Sequence, residues 1–201
     1  MRMSHILLNI DTQEKSALVV GGGQVACRKI KALLAAGVCV MVVSPVIELE
    51  IAELCKSGAL SVREGNYRSS DLENIFLAVA ATDDASVNRQ IAADARKCRI
   101  LVAVADAPEL GNCTFPAMLR RGSLEIGVST GGVAPSFAVA VRDMLAELVT
   151  ERFAEALNDM SILREKLLTD GKASQYNKKV LLEQARLKLT ELTETHKESV
   201  T

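Results

Sequence analysis

Three glycines follow a short apolar run and stand directly before a segment with the composition of a helix. The run is Ala17–Val20, the glycines are Gly21, Gly22 and Gly23, and Ala26 takes the last place of a GxGxxG/A pattern. In such a turn the first glycine permits a sharp reversal, and a glycine without Cβ lets a phosphate approach the main chain. The amides and the positive dipole end of the helix then attract the anion. The pattern predicts dinucleotide binding; the alternative is an ordinary tight turn.

Further cofactor contacts are expected where neighbouring apolar runs end. Ser44 follows the second run and offers a neutral hydroxyl to a ribose. No Arg or Lys lies between Val38 and Ile51, so a 2′-phosphate would lack a partner and NAD is favoured over NADP. Small residues after the fourth run would let a cofactor lie across that edge. The predicted contacts are Gly21, Gly22, Gly23, Gln24, Val25, Ser44, Pro45, Ala81 and Thr82.

A carboxylate that could act as a base ends the fifth apolar run. Asp106 follows Ile100–Ala105 and would lie at the same edge as the glycine turn. Its apolar neighbours predict partial desolvation, which makes a carboxylate a better base at neutral pH. The alternative is a loop aspartate that caps a turn before Pro108. Asp83, after the fourth run, is interpreted mainly as the cap of the following helix.

The composition excludes several classes of function. The 201 residues carry 24 basic and 25 acidic side chains, a balance that disfavours nucleic-acid binding. No apolar run is long enough to span a membrane, and the N-terminus does not resemble a signal peptide, so a cytoplasmic location is expected. Five cysteines without a CxxC pair, and two histidines near the termini, predict no disulfide framework, no metal site and no histidine-based catalysis. The cysteines are expected to be small buried hydrophobic residues.

The elements that must position these residues alternate between strands and helices. Runs that are apolar on both faces, separated by helical segments, predict a parallel sheet covered on both sides. Right-handed crossovers then give an α/β, Rossmann-like, doubly wound sheet with strand order 3-2-1-4-5, which we assign to residues 1–113. The predicted strands are Ser16–Val20, Val38–Val43, Leu60–Arg63, Ile75–Ala80 and Ile100–Ala105, and the second helix is predicted over Ile47–Lys56.

The pattern changes after Cys113. Thr114–Leu119 and Ser123–Val128 have the spacing of a hairpin, and Pro135 or Ser136 begins an apolar helix. This section, residues 114–150, is too small to bury a core alone, so we expect a symmetric homodimer; the alternative is a hairpin folded onto its own sheet. Residues 151–201 are predicted to form a helical tail, divided into two helices at Gly171.

Five short segments in a fixed order resemble one known family. They are Val19–Lys29, Ala80–Asp84, Val104–Pro108, Phe115-Pro116 and Val128–Pro135. Over residues 3–150 the chain resembles the precorrin-2 dehydrogenase/sirohydrochlorin ferrochelatase family, the NAD-binding part of siroheme synthase. The resemblance implies NAD-dependent oxidation of precorrin-2 to sirohydrochlorin, on the way to siroheme or cobalamin. It also implies a dimer with intertwined central sections and, in some members, insertion of ferrous iron at the same site.

The resemblance also assigns roles to single positions. Asp106 aligns with the aspartate proposed for both reactions, and Thr130 aligns with a substrate-site position that carries a modified serine in some members. Ala103 stands where many members have asparagine. The tetrapyrrole substrate carries many carboxylates, which guanidinium groups can pair in bidentate fashion. The candidate partners are Arg120, Arg121 and Arg142; the alternative is that these arginines are solvated at the surface.

A second class of function is also compatible with the glycine turn. The chain could be a non-catalytic module that binds NAD or a tetrapyrrole and regulates another protein, because a fold does not determine an activity. The ordered motifs beyond the turn favour the enzyme. The absorbance of reduced nicotinamide, formed together with sirohydrochlorin, distinguishes the two hypotheses.

Overall fold

The structure, a computed structural model, describes residues 5–169 and 174–199. The chain forms two compact units. The first unit is Leu8–Phe115, and the second comprises Pro116–Thr201 together with the N-terminal residues up to Leu7. Each unit is described by itself.

The first unit is a five-stranded parallel sheet with strand order β3-β2-β1-β4-β5. The predicted α/β class and strand order are therefore confirmed. The first half of the unit contains β1 (Ser16–Val20), α1 (Gln24–Ala35), β2 (Cys39–Ser44), α2 (Leu49–Lys56) and β3 (Ser61–Glu64). The second half contains β4 (Leu77–Ala80), α3 (Ala85–Lys97) and β5 (Leu101–Val104), with short 3₁₀ turns at Ser69–Leu72 and Pro108–Leu110.

The central strand β1 is buried on both faces of the sheet. Ala17 and Val19 belong to the cluster that contains the buried side of α1, whereas Leu18 and Val20 belong to the cluster that contains the buried side of α3. This alternation follows from the two-residue period of a strand. Because both faces are covered by helices, the strand is apolar throughout, which is the pattern that predicted a doubly wound sheet.

Element boundaries differ from the prediction by a few residues at most. The second helix begins at Leu49, two residues later than expected, since Glu48 is extended, with φ −66° and ψ 154°. The Glu48 N–H donates to the Gly22 carbonyl at 2.9 Å instead of starting the helix. A contact between two distant loops, which no local pattern reveals, therefore determines where α2 begins.

The second unit begins with an antiparallel hairpin, as predicted. Its strands are β6 (Ala117–Arg121) and β7 (Leu124–Val128). The first strand lies two to three residues later than expected, because the turn falls on Gly122-Ser123, where Gly122 adopts φ +54°. The helices are α4 (Pro135–Leu148), α5 (Arg152–Thr169) and α6 (Ser174–Ser199); Gly171 lies outside the described residues.

The cysteines only partly match their prediction. All five are free, and Cys27 is buried, but Cys39 and Cys98 are exposed. Burial and the neighbouring Glu50 carboxylate raise the pKa of the Cys27 thiol to about 11. Cys27 is therefore a packing residue rather than a nucleophile.

No helix in the described part of the chain is both long enough and apolar enough to cross a membrane.

Candidate functional site

A cavity of about 950 Å³ lies in the first unit, at the carboxyl ends of its parallel strands. This is the edge at which open α/β sheets bind ligands. Segments that follow β1, β2, β4 and β5 contribute to its wall, so residues far apart in the sequence meet there. All the predicted cofactor contacts and the predicted base line this cavity: Gly21, Gly22, Gly23, Gln24, Val25, Ser44, Pro45, Ala81, Thr82 and Asp106.

The three glycines of the turn have different physical requirements. Gly21 adopts φ +122°, and a Cβ there would collide with the carbonyl oxygen of Ala81. A Cβ at Gly22 would collide with the carbonyl oxygen of Val46. In contrast, a Cβ at Gly23 would meet no heavy atom within 4 Å. The first two glycines are therefore required by packing, and the third leaves open space beside the main chain.

The N-terminus of α1 suits an anionic group. Gly23 is the N-cap residue and has no side chain with which to cap the helix. The first-turn amides of a helix lack partners within the helix and carry its positive dipole end. Gln24 and Val25 belong to that first turn and line the cavity. Open space beside bare amides is what a diphosphate needs, so the residues present fit a dinucleotide.

The end of β2 supplies the opposite wall of the cavity. Ser44 is buried, and its hydroxyl donates to the Val46 carbonyl at 2.6 Å, which holds the loop after the strand. Its contact with a ribose stays a prediction. Arg28 and Glu48 also line the cavity, although the sequence pattern did not single them out. Arg28 follows Gln24 by four residues and therefore shares its face of α1, a spacing that could have identified it.

The helix after β4 is capped by a different aspartate from the one expected. The N-cap of α3 is Asp84, not Asp83, because the helix begins at Ala85. The Asp84 carboxylate accepts hydrogen bonds from the N–H of Ser86 at 2.7 Å and from its hydroxyl at 2.5 Å. The hydrogen bond from the Ser86 hydroxyl lowers the pKa of the Asp84 carboxyl most, and the hydrogen bonds from the N–H groups of Ser86 and Val87 lower it further. Asp83 is left on the cavity wall.

Asp106 follows β5 and lies on the cavity wall. The residue is exposed, so the expectation that it is partly desolvated was wrong. Its Oδ1 accepts a hydrogen bond from Asn88 Nδ2 at 3.0 Å. Asn88 also accepts a hydrogen bond from the Thr82 hydroxyl at 2.8 Å, so that hydroxyl is engaged within the protein. Asn88 is a site residue that the sequence analysis missed.

Two of the predicted substrate residues make contacts within the second unit that stabilise its fold. Arg121 donates to the carbonyls of Val149, at 2.8 Å, and Ala146, at 3.2 Å, which satisfies the last turn of α4. Thr130 Oγ1 accepts the N–H of Ala134 at 3.2 Å, just before α4 begins. The arginine therefore has a structural function that the sequence did not indicate.

The other two predicted substrate residues are paired with carboxylates of the same unit. Arg120 Nε lies 2.7 Å from Glu125 Oε1, its cross-strand neighbour in the hairpin. Arg142 Nη2 lies 2.6 Å from Asp143 Oδ1. Both side chains are partly exposed, but Arg120 Nε itself is buried, and its contact with Glu125 lacks the geometry of a hydrogen bond. Partly exposed ion pairs of this kind contribute little to stability and exchange partners at little cost. Their roles toward a substrate stay predictions.

The chain is similar to several known proteins. Residues 8–117 match the model of an NAD(P)-binding family. The chain is 31% identical over 159 residues to the precorrin-2 dehydrogenase of Bacillus subtilis, an alignment that covers 79% of this chain and 98% of that protein. The structure is similar to that of SirC, a precorrin-2 dehydrogenase, with a TM-score of 0.76, 28% identity, and coverage of 96% of this chain and 100% of the other.

Longer proteins share the same region. The chain is 43% identical over 137 residues to the siroheme synthase of Chromobacterium violaceum, which covers 68% of this chain and 29% of that protein. It is 37% identical over 165 residues to the siroheme synthase of Pseudomonas entomophila, with 82% and 36% covered. The chain thus spans about a third of the length of the siroheme synthases it matches.

Proposed function

The chain belongs to the NAD(P)-binding family that includes precorrin-2 dehydrogenase, and from this premise we propose that it oxidises precorrin-2 to sirohydrochlorin with NAD. One observation carries the proposal. Asp106 and the glycine turn Gly21–Gly23 line the same cavity, although 82 residues separate Gly23 from Asp106 in the sequence. The proposed dinucleotide site and the proposed base therefore lie in the same unit.

The residues of the chain would divide the reaction between them. The main chain beside Gly23 and the first turn of α1 bind and orient the diphosphate. When bound, the nicotinamide supplies the hydride acceptor, so that precorrin-2 loses one hydride to it and one proton to a base. The Asp106 carboxylate takes that proton and releases it to solvent, to which it is exposed. Two hydrogens leave the substrate, as a hydride and a proton, and no further oxidant is required.

The acidic character of the wall beside β2 supports NAD as the cofactor. The wall contains Glu48 and the hydroxyl-bearing Ser44, and it lines the end of the sheet where the adenosine ribose of a dinucleotide binds in this fold. A carboxylate near the ribose suits a free 2′-hydroxyl and repels a 2′-phosphate. Arg28, on the facing helix, can pair with the diphosphate or with Glu48.

Metal insertion and substrate contacts stay predictions of the family resemblance. In the described part of the chain no group of three or more His, Cys, Asp or Glu side chains could hold a metal ion. Ferrous iron would thus be a substrate, bound by Asp106 and the macrocycle nitrogens. The carboxylates of the substrate would pair with Arg120 and Arg142. The cytoplasmic location also stays a prediction.

We further propose that residues 114–150 form the dimer contact of a symmetric homodimer. A two-stranded hairpin such as β6–β7 is marginally stable alone. One face of α4 is also uncovered in the single chain, because Phe137 is 64% exposed, Met144 55% and Leu148 50%. These residues are seven and four positions apart, so they share one face of the helix. An apolar face of this kind is typical of a surface that another protein covers.

Replacing Phe137 by glutamate is expected to convert a dimer into a monomer. A carboxylate buried within the apolar face would have no partner in the symmetric contact. Sedimentation equilibrium should give twice the mass of one chain for the parent and the mass of one chain for the variant. Leu49→Glu, at an equally exposed position on α2, is the matched control and should remain dimeric. A monomeric parent chain at micromolar concentration would contradict the proposal.

The enzymatic proposal is tested by mixing the purified chain with NAD and precorrin-2. We expect the absorbance of reduced nicotinamide and the spectrum of sirohydrochlorin to appear together, in equal amounts. A second sample with ferrous iron tests insertion separately, through the spectrum of siroheme. Binding of NAD or the tetrapyrrole with no reduced nicotinamide formed would instead support the regulatory module.

A further inference from the structure

A buried amide lies beneath the floor of the cavity. Asn88 is on α3 and is only 1% exposed. It lies on the buried face of that helix, in line with Ile91, Ala92 and Ala95. A polar side chain in such a place is costly unless its hydrogen bonds are satisfied. The partners of Asn88 therefore indicate why an asparagine is present.

Every hydrogen-bonding group of the Asn88 amide is used. Its Oδ1 accepts from the N–H of Thr82 at 3.2 Å and from the Thr82 hydroxyl at 2.8 Å. Its Nδ2 donates to the Thr82 carbonyl at 3.0 Å and to Asp106 Oδ1 at 3.0 Å. An asparagine side chain offers two donor hydrogens and two acceptor lone pairs, so none is left over.

These bonds determine which way the amide points. The main-chain N–H and carbonyl of Thr82 can be satisfied together only if Oδ1 faces the first and Nδ2 faces the second. The second hydrogen of Nδ2 is then directed to Asp106. Because the main chain of Thr82 cannot exchange its donor for its acceptor, the side chain of Asn88 always presents a donor to the carboxylate.

Asn88 therefore links the ends of two strands. Thr82 follows β4 and Asp106 follows β5, and the amide bonds to both. In the described part of the chain, the bond from Asn88 to Oδ1 is the one hydrogen bond of the Asp106 side chain. Its Oδ2 makes none with these residues, and Asp106 lines the cavity. A single donor on one oxygen holds an exposed carboxylate in one orientation.

We infer that Asn88 is a positioning residue for the reaction: it holds Asp106 so that Oδ2 can receive the proton of the substrate. The inference rests on the proposed function, in which Asp106 is the base. It assigns to Asn88 an effect on rate that acts through Asp106. A merely structural asparagine would support the Thr82 segment and would affect the rate equally whether or not residue 106 is a base.

Replacing Asn88 by alanine is expected to lower kcat by about 10- to 100-fold, as misplacement of a reacting group by about 1 Å does. The kcat is measured at saturating NAD, because Asn88 also holds Thr82, a predicted cofactor contact, and its loss can alter the KM for NAD. The decisive comparison is made in the Asp106→Asn background. There the same substitution should lower kcat by less than about twofold, because no base remains to be positioned.

Asn112, which follows the 3₁₀ turn after β5, is a matched control. Asn112 also bonds through its side chain to β5, accepting from Val102 N–H at 2.7 Å and donating to the Ile100 carbonyl at 3.1 Å. It has no bond to Asp106, so Asn112→Ala should lower the melting temperature while kcat stays within about threefold. If Asn88→Ala does not fold, Asn88→Leu fills the same space among the apolar neighbours of α3 and also lacks a donor for Asp106. It should show the same loss of kcat.

The outcomes separate this inference from the proposed function. If Asp106→Asn is inactive and Asn88→Ala and Asn88→Leu both keep the parent kcat, the inference is overturned and the function stands. Equal losses from Asn88→Ala in the parent and the Asp106→Asn backgrounds would also overturn it, because they indicate a structural role alone. If Asp106→Asn keeps the parent rate, Asp106 is not the base, and the proposed mechanism fails together with the inference.

Discussion

Replacing Asp106 by alanine is expected to lower the rate of precorrin-2 oxidation by roughly 10²- to 10⁴-fold, the usual contribution of a positioned general base. The side chain is exposed and lies after the last residue of β5, so its removal opens no cavity in the core. The glycine turn and the first turn of α1 are also unaffected. The Kd for NAD should therefore stay within about twofold of the parent value, measured by titration calorimetry.

Two further variants isolate the chemistry of the Asp106 carboxylate. Asp106→Asn has the same shape and an oxygen that can still accept from Asn88 Nδ2, so it removes the base and keeps the geometry. It should be nearly as inactive as the alanine variant. Glu109→Gln neutralises an exposed carboxylate in the next 3₁₀ turn and should retain the parent rate. An alanine variant at 106 that turns over as fast as the parent would remove this residue from the mechanism.

Replacing Gly23 by aspartate is expected to weaken NAD binding by at least about 100-fold without harming the fold. Two like charges about 4 Å apart at a protein surface repel by roughly 4 kcal/mol, and each ~1.4 kcal/mol is a factor of ten in affinity. The new carboxylate would stand beside the bare amides of α1, where the diphosphate binds. Titration calorimetry with NAD measures the effect directly.

The backbone explains why this variant should still fold. Gly23 adopts φ −90° and ψ −172°, which any residue can adopt, and a Cβ there meets no heavy atom within 4 Å. Aspartate is also a favoured N-cap residue, so the melting temperature should stay equal or rise. Gly23→Asn is the matched control: it has the same size and also caps, but it lacks the charge and should bind NAD more tightly than the aspartate variant. Unchanged NAD affinity in Gly23→Asp would show that the diphosphate binds elsewhere.

The sheet could be predicted because four of its five strands, β1, β2, β4 and β5, are apolar on both faces. Such strands are typical of a parallel sheet covered by helices on both sides, and right-handed crossovers leave few possible orders. The residues that end them, such as Ser44, Thr82 and Asp106, must then meet at one edge. The location of the site therefore follows from strand order, without any knowledge of side-chain contacts.

The contacts within the site could not be predicted in the same way. Asn88 is three, four and seven residues from Ile91, Ala92 and Ala95, so this polar residue occupies the buried face of α3. That pattern could have indicated a buried hydrogen-bonding side chain, but not its partners. Its partner depends on the distance between a helix and the end of a strand, which tertiary packing determines. The position of Arg121 depends likewise on where the hairpin turns. Because β6 ends two residues later than predicted, Arg121 lies in that strand and not in the turn.

The close packing at Gly22 has a consequence for protein engineering. The Gly22 carbonyl accepts a hydrogen bond from the Glu48 N–H, and the side of Gly22 where a Cβ would stand faces the Val46 carbonyl. The glycine turn and the segment after β2 therefore pack directly against each other. A loop transplanted from another dinucleotide-binding protein to alter coenzyme preference would bring its own main-chain path. Such a graft can succeed only if the glycine turn and residues 44–48 are exchanged together.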